Sequence, residues 1–67
     1  MNKPGDIIIV FSDPVNLKMP EGQATLLMKE KEVGILELWY VHFTGEDDYF
    51  IYKRWIKKQN EPAHIIS

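Results

Sequence analysis

The stretch GQATLLMKEKEVGILELWYVHF, residues 22–43, decides the fold. Aliphatic, β-branched and aromatic residues run up to Gly34 and away from it without a sustained 3.6-residue apolar period, which predicts a β-hairpin turning near Val33-Gly34. With Glu32 set opposite Ile35, Ala24 faces Phe43, Leu26 faces Val41 and Met28 faces Trp39, and Glu30 and Glu37 end that face at the tip. The reverse face pairs Thr25 with His42, Leu27 with Tyr40, Lys29 with Leu38 and Lys31 with Leu36. The first face is apolar on both strands and is expected to be the core. A one-residue slip would exchange the two faces.

Working outward, Ile7-Ile8-Ile9-Val10-Phe11 follows the turn signal Pro4-Gly5-Asp6 and is expected to be the most buried strand. Residues 12–21 hold two prolines and no alternation, so they read as a long ordered loop of the kind that often carries function. Residues 44–48 form an acidic turn leading to a strand over 49–53, after which Trp55 and Ile56 are expected to cap one open end of a barrel. His64-Ile65-Ile66 either adds a short last strand beside residues 7–10 or frays. The expected fold is all-β, a small five-stranded SH3-like partly open β-barrel. It is a single domain over residues 1–67 with its core in 5–56 and a C-terminal segment 57–67. Curling one sheet buries a face of every strand in a chain too short for two layers.

The 67 residues include 30 apolar ones and no cysteine. So short a chain buries only about 60% of its unfolded surface, and neither a disulfide nor a four-ligand zinc site is available to staple it. Stability has to come from packing or from a partner. No apolar run is long enough to span a membrane and the start MNKPGD lacks a signal-peptide core, so a cytoplasmic protein with no membrane partner is expected. Residues 1–52 carry a net charge of −5 and residues 53–67 one of +3. The only segment with a clustered positive field is KRWIKK, residues 53–58.

The order Gly5-Asp6-Ile7-Ile8-Ile9-Val10, Asp13-Pro14, Pro20-Glu21-Gly22-Gln23-Ala24-Thr25-Leu26, Glu37-Leu38-Trp39-Tyr40-Val41-His42-Phe43 and Arg54-Trp55-Ile56 resembles small uncharacterised proteins of bacteriophages and bacterial mobile elements. The Gly-Asp opening before a β-branched strand, with a glycine near the start of the next, also resembles KOW-type and other SH3-like modules. That resemblance implies binding of nucleic acid or protein, and it concerns fold rather than function.

Two sets of residues are candidates for binding. If the third strand is in step, Leu38, Tyr40, His42 and Tyr52 share a second apolar face that needs cover, and with Asp13 and Pro14 of the loop they would hold a protein partner or a second copy. The bland alternative is that the chain covers this face itself. Lys53, Arg54, Lys57 and Lys58 around Trp55 would instead track phosphates while the indole stacks on a base, unless Trp55 and Ile56 point inward and the cations are solvated or paired with Glu46, Asp47 and Asp48. A third reading makes Glu21, Glu30, Glu32, Glu37, Glu46, Asp47 and Asp48 phosphate mimics, at a modest charge density. Ser12, His42 and Asp13 lack the sequence context of a triad, and isolated glycines form no phosphate loop. No enzyme, cofactor, metal or small-molecule substrate is expected, and little room for a small-molecule pocket of roughly 300–1,000 Å³.

Overall fold

The computed structural model describes residues 1–59. The short last strand expected near His64-Ile65-Ile66 lies outside the described residues. Four strands form one antiparallel meander in the order β1 (Ile7–Asp13), β2 (Lys18–Val33), β3 (Leu36–Phe43) and β4 (Tyr52–Lys57), curled into a half-barrel. There are no helices among the described residues.

The central hairpin is where the alternation placed it. Ala24, Thr25 and Leu26 face Phe43, His42 and Val41 as expected, and β3 sends Glu37, Trp39 and Val41 to the core face. Beyond Leu26 the register departs twice, because Leu27 and Glu30 are extra residues in β2, so that Met28 faces Tyr40, Lys29 faces Trp39 and Glu32 faces Glu37. Each bulge reverses the facing of the residues beyond it. Met28, expected in the core opposite Trp39, is therefore 58% exposed. Glu30, expected opposite Glu37, instead meets Lys53 on the other face. The hairpin closes through Gly34-Ile35 between Val33 and Leu36, with Gly34 at φ +60° in the first central position, as a type II′ turn requires.

The core consists of Val10, Ala24, Leu26, Trp39, Val41 and Ile56, with Ile8, Phe43 and Tyr52 packed against it. It lines the concave side of the curl, one face from each strand. The bulges in β2 and the register shift at Val10/Phe11 increase twist and bend the sheet until β1 and β4 approach without pairing.

Three expectations are corrected. The strand at 7–11 is an edge strand rather than the most buried one, because a five-residue apolar run does not reveal how many of its faces are covered. Ile7 is 61% and Ile9 49% exposed. The stretch 12–21 is not a long loop: β1 runs to Asp13, β2 begins at Lys18, and only Pro14–Leu17 turn. Pro20 is accommodated at the register shift, where it faces Phe11. The third hairpin strand starts at Tyr52 rather than Tyr49, so Trp55 and Ile56 lie inside it and alternate. Ile56 points into the core opposite Glu37, while Trp55 sits beside Leu38 on the convex face.

Candidate binding seam between the first and last strands

The half-barrel leaves a seam between the outer edges of β1 and β4. At its start, Lys3-Pro4-Gly5-Asp6 makes a type II turn, with Asp6 N donating to Lys3 O (3.1 Å) and Gly5 at φ +92°. Gly5 N then donates to Leu26 O (2.8 Å) and Leu26 N to Asp6 O (2.8 Å), a glycine bulge that delivers the chain into β1. Alternation from the bonded Asp6–Leu26 position makes Ile8–Ala24 and Val10–Gly22 the hydrogen-bonded pairs. Ile7 and Ile9 therefore turn their backbone N–H and C=O groups outward, into the seam.

The same parity applies to β4. Lys58 N donates to Ile35 O (2.8 Å), which places Lys53, Trp55 and Lys57 in the pairs whose backbone groups face away from β3. Two of these carbonyls have side-chain donors: Asn2 Nδ2 on Lys57 O (3.2 Å) and Arg54 Nη1 on Lys53 O (2.9 Å). The hollow beside the β1 edge holds about 570 Å³ and is lined by Ile7, Ile9, Phe11, Pro14, Leu17 and Trp55 among others. A second, of about 450 Å³, shares Phe11, Pro14 and Trp55 with it and extends to Val33 and Leu36. Both volumes fall in the range that was not expected of so small a chain.

A buried polar cluster ties the chain start to one end of the seam. Glu37, 5% exposed on the core face of β3, accepts hydrogen bonds at Oε1 from Trp39 Nε1 (2.8 Å) and Asn2 Nδ2 (3.0 Å). Asn2 is 7% exposed, and its Oδ1 has no partner. The signal for this cluster was present in the sequence: Glu37 shares its face with Trp39 and Val41, and an acid on a core face requires donors.

The six residues expected to form a protein surface are not brought together. Asp13 accepts Asn16 N and Nδ2 (both 3.2 Å) and so fixes the 14–17 turn, while Pro14 lines the seam. Leu38, Tyr40 and His42 do share the convex face of β3, each half-buried, and His42 Nε2 lies 3.0 Å from Glu46 O and 3.1 Å from Asp47 O, bracing the following turn. Tyr52 is out of step with them. It faces Val41 on the concave side and meets Phe43 edge-on, with centroids 5.6 Å apart. On the convex face two lysines lie over aromatic rings, with Lys53 Nζ 5.3 Å from the Tyr40 ring and Lys31 Nζ 5.9 Å from the Trp55 ring.

The basic segment is engaged with carboxylates other than the expected Glu46, Asp47 and Asp48. Lys53 meets Glu30 (2.9 Å), Arg54 meets Glu21 (3.0 Å) and Lys58 meets Glu32 (3.0 Å), while Lys57 Nζ reaches Val15 O (3.4 Å). The Lys53 ammonium holds the Glu30 carboxyl below its ordinary range, and Glu30 raises Lys53 in return. Glu32 is lowered to about 2, first by the hydrogen bond from Lys29 and then by that from Lys58. Ser12 donates to Glu21 (3.2 Å), so Ser12, Asp13 and His42 make three separate local contacts rather than one constellation. Among the described residues no three His, Cys, Asp or Glu side chains gather to hold a metal, and no helix is long and apolar enough to cross a membrane.

No family model, no curated protein and no solved structure matches this chain.

Proposed function

We propose that the chain is a non-catalytic binding module that holds a protein partner, either another protein or a second copy of itself, in the seam between β1 and β4. One observation carries this: Ile7 and Ile9 combine exposed apolar side chains with outward backbone N–H and C=O groups along a strand edge that no other strand among the described residues pairs with. Such an edge binds an extended segment by adding it to the sheet, the backbone supplying affinity and the apolar lining specificity. The SH3-like barrel belongs to the same proposal, since a strand laid in the seam would make a fifth. So do a cytoplasmic setting and an origin in a phage or mobile element, for which the supports are the composition and the short motifs between Gly5 and Ile56.

The nucleic-acid alternative through Lys53, Arg54, Trp55, Lys57 and Lys58 loses ground to the pairing of Lys53, Arg54 and Lys58 with Glu30, Glu21 and Glu32, which neutralises the field such binding needs. The same pairs take these three glutamates out of an acidic mimic. Photo-crosslinking tests the proposal. A photoreactive residue at Ile9 is expected to give adducts of higher mass in cells, and one at Thr44, on the exposed far turn, none. Absence of any adduct from position 9 overturns it.

A further inference from the structure

Resting on that proposal, we infer that the occupant of the β1 edge is a second copy of the chain, paired antiparallel β1 to β1 about a two-fold axis at Ile8. Three observations support this choice. The edge is straight only between two irregularities, the glycine bulge at Gly5-Asp6 and the register shift at Val10/Phe11. The window they leave, Asp6 to Val10, has Ile8 at its midpoint. Second, only residues whose backbone groups point outward can exchange hydrogen bonds with a new strand, and in this window these are Ile7 and Ile9. An antiparallel pairing centred on Ile8 sets Ile7 opposite the partner's Ile9 and the reverse, so the requirement is met twice by one symmetric contact. Both bonded pairs exchange N–H···O bonds in each direction, and the four isoleucines that are exposed on the separate chains meet on one face.

Third, charge decides between edges. Residues 7–12 carry none, and Asp6 at the margin is already paired with Lys3 (3.6 Å). Two β4 edges centred on Trp55 would set Lys53 against the partner's Lys57, like charges directly opposed. Joining β1 of one copy to β4 of the next is a head-to-tail contact that runs on into a ring or a filament, whereas β1 to β1 closes at two copies.

The test uses sedimentation equilibrium at micromolar concentrations together with single-cysteine trapping, for which the natural chain has no competing thiol. The expected mass is twice 7.9 kDa. Ile9→Lys, a change at a residue 49% exposed, is expected to return the mass to that of one chain with the circular dichroism unchanged. A mixture of Ile7→Cys and Ile9→Cys chains is expected to form the mixed disulfide several-fold faster than either chain alone. A strict monomer overturns the inference, and so does a dimer that survives Ile9→Lys. A monomer that dimerises only after residues 60–67 are removed also overturns it, by assigning the seam to the chain's own end. Adducts from position 9 to a different protein, with no dimer, overturn the second copy while leaving the binding module standing.

Discussion

Glu37 is the residue through which the fold can be tested most sharply. Its Oε1 takes one hydrogen bond from the Trp39 indole and one from Asn2, both inside the protein. Glu37→Gln keeps that acceptor. It loses the ionic share of two bonds and a 3.8 Å contact between Oε2 and the Lys29 ammonium, itself substantially exposed. The expected cost is about 1 kcal/mol, or about 4–8 °C in melting temperature for a domain of this size. Glu37→Leu fills nearly the same volume but strands two buried N–H donors, at about 1–3 kcal/mol each. That is a large part of a stability that small domains hold at roughly 5 kcal/mol, so the melting temperature should fall by at least about 10 °C. Thermal unfolding followed by tryptophan fluorescence, where buried Trp39 reports, separates the two variants. If Glu37→Leu melts within about 4 °C of the parent chain, the donors are satisfied some other way and the cluster does not anchor the chain start.

Two further predictions concern the surface. The carboxyl of Glu32, lowered to about 2 by Lys29 and Lys58, contributes stability that is fully present above the ordinary carboxylate pKa of 4.5 and is lost as pH falls toward 2. A carboxyl-carbon NMR titration should find its midpoint near 2, moving up toward 4.5 in Lys58→Ala, and an unmoved midpoint would deny Lys58 any part. Leu17 and Met19 hold left-handed backbone at φ +56° and +60°, which costs an L residue roughly 1–2 kcal/mol. Leu17→Gly and Met19→Gly should therefore leave the melting temperature level or higher, whereas Lys18→Gly between them should lower it by about 4–8 °C. Equal losses at all three positions would contradict the backbone assignment.

What the sequence revealed tracks how strictly each segment alternates. β3 was legible because Glu37, Trp39 and Val41 repeat with period two against half-buried neighbours. The outer half of β2 was not, because Leu27 and Glu30 carry no residue-type mark of a bulge, and after each of them the parity inverts. β4 starts at Tyr52, and its pairing was misjudged by one residue, since Tyr52 faces Val41 rather than Tyr40. A one-residue slip exchanges faces, which is why Tyr52 went to the wrong side and Trp55 was expected inside. Of the seam, Pro14 was legible as a loop residue, but the exposed edge was not, since a run of five apolar residues reads alike in a central and a peripheral strand. Leu38, Tyr40 and His42 were read correctly as one face of β3, whereas the lysines over Tyr40 and Trp55 were not, since their partners across the sheet follow from the registers of β2 and β4.

The two extra residues of β2 also bear on how the gene can change length. Because Leu27 and Glu30 have no partner across the hairpin, deleting either codon leaves every other cross-strand pair and the facing of every other side chain as it was. Removing Met28 does the same, with Leu27 taking its place opposite Tyr40, whereas removing Lys29 brings Glu30 opposite Trp39 and takes away the ammonium that meets Glu32 and Glu37. Single-codon loss should therefore be tolerated alike at Leu27, Met28 and Glu30 and least at Lys29, whose charge is engaged with Glu32 and Glu37. A tolerated loss has its own effect: a β2 without bulges is flatter, the curl of the sheet relaxes, and β1 swings away from β4. Insertions and deletions at these two positions would then set the width of the seam without touching a residue that lines it.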